Sequence, residues 1–359
     1  MIKKKVAIWA PLRYANYGDD LQALAFGLMI KNMGYNVKLY QLEESLSKEY
    51  GIESAPDVDT LCKDINLCII AGGALLTPFS WLKRQLHKAA REYEQDFKEL
   101  YKAAHKYPVK FCAISIGGDG IKREPTQWYS KWRINFFKLN AFLNGTVRLQ
   151  GDVDTMTNFG KSFIYYPDML FQTPNYFKVN KLPKTSKYRV GINFKKGKYI
   201  DSNLLKAIYK YAEEHNDIEF HFTTTHMQKV ELNYQYLPSK ESPNIFIDRY
   251  ESPKQLLGVL ASMDVFITSM LHLGLTGLTM GTPFISYRGP GKTKSFLKSI
   301  DGDWAIVDDN ISFETLKNIF FSKGREELYR QYNIEKIADM MKLSQRHYDF
   351  CKHIVEKFA

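Results

Sequence analysis

The chain has little cysteine, and none of it in a metal-binding spacing. Cys62, Cys68, Cys112 and Cys351 form no Cys-x-x-Cys pair, and Cys112 lies inside an apolar run. This argues against a zinc site and a disulfide framework, and for a reduced, cytoplasmic chain. No apolar run approaches the ~20 residues of a membrane span. The apolar start at 6–10 is too short for a signal sequence and leads into a polar loop, so it reads as a first strand. The glycine fingerprint of a dinucleotide site is missing after that strand, which argues against NAD. There is no nucleic-acid-binding motif. Nor is there a block of like charge, since Lys and Arg are spread along the chain, and this argues against a nucleic-acid tail. Internal repeats and low-complexity segments are absent.

What is present is length, positive charge and aromatic rings. With 359 residues the expectation is two domains. The net charge of +11 favours anionic partners: nucleic acid, phosphorylated metabolites, or a membrane surface carrying a lipid-linked substrate, with peripheral contact to it. Aromatic residues make up 14% of the chain, which points first to thick aromatic cores.

Apolar runs alternate with helical periodicity. Strands are expected at 6–10, 37–40, 67–71, 109–116, 147–149 and 163–166. After a proline-bearing, non-periodic linker at 173–187, strands return at 190–194, 218–223, 245–247, 265–268, 284–287 and 304–307. A helix over 21–33 has Asp19 or Asp20 as its cap, and another begins at Ser252-Pro253. Asp152 or Asp154 caps a short helix ending at Gly160. Residues 1–172 and 188–324 thus form two α/β halves, followed by a helical segment over 325–359. The implied fold is α/β, with two Rossmann-like domains facing across a cleft, GT-B-like, closed by a C-terminal helix.

The stretch 262–300 organises the chain. A buried strand at 265–268 leads through the turn Ser269-Met270-Leu271 to His272, then to a short helix over 273–280. The strand at 284–287 is followed by Arg288, Lys292 and Lys294 in a glycine-rich loop. In open parallel sheets ligands bind beyond the carboxyl ends of strands, so one imidazole and several cations share a rim. Lys195 and Lys196 follow another strand of the same half. Lysine acts as a point charge on phosphate, and arginine forks onto carboxylate. Histidine moves protons near neutral pH. His226 also follows a strand end, with Thr224-Thr225 reading as caps. Asp19 or Asp20 could act on a substrate hydroxyl. Asp168, after Pro167 at a strand end, is a similar candidate.

Taken together, Asn16-Tyr17-Gly18-Asp19-Asp20-Leu21, Ala71-Gly72-Gly73-Ala74-Leu75-Leu76, Arg148 with Gly160, Tyr166-Pro167-Asp168, and Ser269-Met270-Leu271-His272 with Gly281-Thr282-Pro283 and Lys292 resemble the polysaccharide pyruvyl transferase family. The resemblance runs from about residue 6 to 300. It implies a GT-B-like transferase that moves the carboxyvinyl unit of phosphoenolpyruvate onto two hydroxyls of a sugar, forming a ketal and releasing phosphate. The acceptor would be a cell-surface glycan or its precursor, lipid- or nucleotide-linked, with neither metal nor cofactor. His272 and Leu271 match the family's Arg-Leu-His signature, but Met270 stands in place of its arginine. Leu149 stands where many members have Asp beside the matched Arg148. On this reading His272 is the acid and Asp19 the base, with Asn16, Gly18, Arg148, Asp168, Lys195, Lys196, Leu271, Arg288 and Lys292 binding substrate. The alternatives are a GT-B glycosyltransferase using a nucleotide sugar, and a non-catalytic glycan-binding member.

Overall fold

The computed structural model describes residues 5–118, 120–121, 124, 128–194, 202–227 and 236–359. Its contacts divide the chain into two compact units. The first holds residues up to Ala15, Asp19–Met169 and Lys342–Ala359. The second holds Asn16–Gly18 and Leu170–Met341. The division thus falls at 169–170, and the linker expected over 173–187 begins with a short helix, Thr173–Tyr176.

In the first unit, among the described residues, β1 (Lys5–Trp9), β2 (Asn36–Tyr40), β3 (Glu53–Ala55), β4 (Leu67–Ala71) and β5 (Lys110–Ile114) form a parallel sheet in the order β3-β2-β1-β4-β5. β4 is buried along its whole length, as expected of a central parallel strand covered on both faces. Beyond β5 lies a parallel pair, β6 (Gly145–Val147) and β7 (Phe163–Tyr165). It joins β5 through isolated bridges at Phe111↔Phe142 and Ile116↔Val147. The regular ladder stops where Ser115 turns to φ 56 and donates its N–H to the Thr146 hydroxyl at 3.0 Å. β6 ends at Val147, the first residue of the 147–149 expected of it. The helix behind it spans Gln150–Asn158, so Asp152 sits in its first turn. Asp152 does not cap that helix; its carboxylate accepts the Gly118 N–H at 2.8 Å.

Much of the aromatic content goes into this unit's core. Trp9, Phe97, Phe111, Phe136, Phe137, Phe142 and Phe163 pack in one cluster. The fully buried Arg133 guanidinium lies within 5.3 Å of the ring centroids of Phe79, Tyr93, Phe97 and Tyr129 and pairs with Glu94.

The second unit has a parallel sheet of β8 (Tyr188–Asn193), β9 (Ile218–Thr223), β10 (Ile245–Asp248), β11 (Val265–Thr268), β12 (Phe284–Tyr287) and β13 (Ile306–Val307), in the order β10-β9-β8-β11-β12-β13. Counted within the unit, this is the doubly wound order 3-2-1-4-5-6. The order reverses between β8 and β11, and a crevice opens at such a reversal, outside the carboxyl ends of the strands. The 25-residue helix Ile334–Phe358 ends the chain. No helix among the described residues is long and apolar enough to cross a membrane.

Candidate functional site

The carboxyl ends of β8, β11 and β12 are stitched together by short polar contacts. The Ser269 N–H donates to the Asn193 carbonyl at 3.1 Å, and the Ser269 hydroxyl to the Tyr287 carbonyl at 2.8 Å. Above them is a cavity of about 100 Å³. Its wall comes from Asn16–Gly18, from Thr225 just past β9, from Ser269–Leu273 just past β11, and from Pro290 and Lys292 past β12. All of these belong to the second unit.

Three helices begin on that wall. The first, α1, runs Tyr17–Asn32, and the others run Leu271–Thr279 and Gly291–Ser299. The first two start earlier than the sequence suggests, and the third lies where a loop is expected. α1 begins at Tyr17 because the Asn16 side-chain oxygen accepts the Gly18 N–H at 2.9 Å. Asp19 and Asp20 are therefore not its caps; they lie in its first turn, where negative charge suits the helix dipole. The second helix takes in Leu271 and His272, so the imidazole belongs to its first turn and not to a preceding loop. The expected glycine-rich loop after β12 is helical from Gly291, which puts Lys292 and Lys294 in a first turn as well. The caps of the two later helices, Met270 and Pro290, offer no side-chain hydrogen bond. An α-helix leaves its first N–H groups without intrahelical partners and carries partial positive charge at that end. Helix starts of this kind bind phosphate and carboxylate.

His272 is held by the start of α1. A Cβ on Gly18 would overlap Nδ1 of His272 and stand 3.1 Å from its Cε1 and Cγ. Only glycine lets the helix backbone come this close to the ring. The Tyr17 hydroxyl lies 2.8 Å from the Thr276 hydroxyl, which itself donates to the His272 carbonyl at 2.7 Å. On the other side of the tripeptide the Tyr17 N–H donates to the Thr225 carbonyl at 2.8 Å. Asn16 Nδ2 lies 2.9 Å from His226 Nε2, with Nδ1 of His226 3.1 Å from the Thr225 hydroxyl. Because Asn16 spends its oxygen on the Gly18 N–H, its NH₂ faces His226. Nε2 is then the acceptor and Nδ1 carries the proton. Burial holds the His226 pKa down at about 4, so this ring is neutral at pH 7.

The sequence profile of the polysaccharide pyruvyl transferase family matches residues 16–288. The chain belongs to that family. No curated protein matches it. Among solved structures, the chain is similar to the MnaA–UDP co-structure from S. aureus (TM-score 0.60, 11% identity, covering 98% of this chain and 97% of that one). It is also similar to UDP-GlcNAc 2-epimerase from Neisseria meningitidis bound to UDP-GlcNAc (0.59, 8%, 98% and 100%). The glycosyltransferase SnogD from Streptomyces nogalater is a third such structure (0.51, 10%, 97% and 99%). These likenesses show the fold, which is GT-B-like.

Of the residues that the family motifs single out, Asn16, Gly18, Leu271, His272 and Lys292 meet on the cavity wall. Met270, in the place of the family arginine, is on the wall too, and Lys292 is the cation among the wall residues. Arg288 is not on it. That residue adopts φ 48, donates its N–H to the Val307 carbonyl at 2.7 Å, and has its guanidinium 5.2 Å from the Tyr287 ring centre. Lys294, expected on the same rim, pairs with Asp308 at 2.6 Å. Lys195 and Lys196 lie outside the described residues. In the first unit Arg148 and Asp168 pair at 3.0 Å, both about nine-tenths buried, and Asp19 belongs to that unit as well. Among the described residues no group of three or more His, Cys, Asp or Glu could hold a metal ion.

Thr225 and His226 were visible in the sequence only as residues after a strand. Thr224 and Thr225 are not helix caps, since no helix follows them through residue 227. The Thr224 hydroxyl accepts the Tyr250 N–H at 2.9 Å, and His226 forms an antiparallel bridge with Asn16. Their link to Asn16 leaves no local trace in the chain.

Proposed function

We propose that the chain transfers the pyruvyl unit of phosphoenolpyruvate to a sugar of a cell-surface glycan or its lipid- or nucleotide-linked precursor, forming a ketal. One observation carries this reading. Two helix starts without side-chain caps, the Lys292 ammonium and the His272 imidazole share one small cavity at the switch point of a doubly wound sheet. Helix N–H groups suit the phosphate or carboxylate of phosphoenolpyruvate, and Lys292 adds a charge to balance it. Met270, Leu271, Leu273 and Pro290 make the rest of the wall largely apolar, which strengthens each polar contact inside.

His272 as imidazolium gives its proton to the methylene carbon, which becomes the methyl group. This leaves C2 electrophilic. An acceptor hydroxyl forms the first C–O bond at C2, and its proton passes to a carboxylate, the role proposed for Asp19. The bond from C2 to the phosphate oxygen breaks, the departing oxygen takes the proton held by that carboxylate, and hydrogen phosphate leaves toward Lys292. A second sugar hydroxyl then closes the ketal, and its proton restores the acid. No electrons are exchanged with an outside reagent.

The test is to incubate the protein with phosphoenolpyruvate and a panel of glycan acceptors, following inorganic phosphate and the ketal methyl signal by NMR. Stoichiometric phosphate and ketal are expected. Nucleotide release from nucleotide sugars, with no phosphate from phosphoenolpyruvate, would replace this reading with the glycosyltransferase one.

A further inference from the structure

The stretch 79–91 of the first unit combines exposed leucine with positive charge. No acidic residue occurs between Asp64 and Glu92, and within the stretch come Lys83, Arg84, Lys88 and Arg91. The helix Trp81–Leu86 starts at Ser80, whose hydroxyl accepts the Lys83 N–H at 3.2 Å. Leu82 and Leu86, four residues apart, share a helix face. They are 58% and 67% exposed, the most of any large apolar side chain among the described residues. Lys83, Lys88 and Arg91 are exposed around them.

The segment is anchored, not loose. The buried Arg133 donates to the Thr77 carbonyl at 3.0 Å and lies over the Phe79 ring. Arg91 donates to the Gln85 carbonyl at 2.5 Å. The Arg133 contacts hold the backbone just ahead of the helix, and Leu82 and Leu86 are exposed beyond it. Two exposed leucines on one helix face, ringed by cations, suit a cover of matching chemistry. The cover must tolerate apolar side chains and supply negative charge. A bilayer of anionic lipid does both, with acyl chains for leucine and phosphates for the cations. The chain's net charge of +11 draws it to the same surface.

We propose that residues 79–91 dock the protein on an anionic lipid surface, with Leu82 and Leu86 inserted at the headgroup boundary and Lys83, Lys88 and Arg91 on lipid phosphates. This does not depend on the pyruvyl reading of the cavity.

The test is co-sedimentation of the full chain with vesicles of phosphatidylcholine, with and without phosphatidylglycerol. Binding is expected only with phosphatidylglycerol and should fall as salt rises. Leu82→Ser with Leu86→Ser should lower the partition coefficient about tenfold or more. Lys83→Gln with Lys88→Gln should lower it by roughly fivefold per charge. Phosphate release on a soluble acceptor should be unchanged in both variants, so the docking and the catalytic readings fail separately. No binding to either vesicle, equal binding to both, or binding indifferent to the leucine pair would overturn the proposal. So would self-association of the wild type that the serine pair abolishes, which would make this face a contact with a second copy.

Discussion

The His272 ring lies against the backbone of Gly18, too close for any side chain at that position. The contact joins the start of α1 to the first turn of a helix far along the chain. It fixes one nitrogen edge of the imidazole, and so the direction in which the other edge points. The family's Asn-x-Gly element thus acts here as a support for its histidine.

Gly18→Ala should push His272 aside while leaving the fold intact. A displacement of about 1 Å from a productive geometry costs about a hundredfold in rate. The expected result is a kcat lowered to that extent with thermal unfolding close to wild type. Full activity in the alanine variant would show that the ring has no fixed task.

Removing the imidazole itself should cost more. His272→Ala should lower kcat by about 10²–10⁴-fold, the usual size for a lost proton donor. His272→Gln keeps a hydrogen bond but delivers no proton, so it should be nearly as poor. The dissociation constant for phosphoenolpyruvate, measured by calorimetry, should change far less than kcat.

Lys292 is expected to act on the donor. Lys292→Glu should raise the dissociation constant for phosphoenolpyruvate by roughly 10–100-fold, the range for a lost charge-assisted hydrogen bond, with acceptor affinity little altered. Equal losses for both substrates would deny it a donor-specific role. Met270→Arg restores the family's cation on the same wall. It should tighten phosphoenolpyruvate binding where that contact is simply missing, and leave it unchanged where Lys292 already serves.

Acidification should loosen the first unit through His347. This ring is fully buried, with Nδ1 2.7 Å from the Thr146 hydroxyl and Nε2 3.0 Å from the Pro167 carbonyl. Burial depresses its pKa to about 4, from an ordinary value of 6.5. The native state therefore binds fewer protons than the unfolded chain. Stability is fully present above pH 6.5 and falls as pH drops toward 4, by on the order of 3 kcal/mol. Asp96 works in the opposite direction, because burial raises its pKa to about 6. Comparing urea midpoints at pH 7.5 and 5 for wild type and His347→Gln isolates the histidine. The variant should be less stable at pH 7.5 and lose less on acidification.

The strands were the most legible feature of the sequence. β4, β9, β11 and β12 occupy the residues expected of them, because a short apolar run between turn residues has few other uses. Short elements such as Glu44–Tyr50 and Glu53–Ala55 left no such mark. Helix starts are less legible because a cap is decided by one hydrogen bond: Asn16 supplies it for α1, while Asp19 and Asp20 look equally suitable in the sequence. At Pro290-Gly291 the pair reads as a loop, yet it opens a helix. His347 sits in a charged terminal helix, and its partners Thr146 and Pro167 are distant in the chain, so no local pattern reveals it. The cavity was legible only in pieces, since its wall depends on the strand order of the second sheet.

Asn16–Gly18 is counted with the second unit although the chain on either side belongs to the first. The molecule therefore cannot be cut into two expressible fragments without spoiling the cavity: a polypeptide of residues 170–341 would carry His272 and Lys292 but lack the glycine against which the imidazole rests. The same holds in time. A ribosome adding roughly 5–20 residues per second delivers Asn16 some tens of seconds before Lys292. The early tripeptide has to wait, uncommitted, for the rest of its wall to be made.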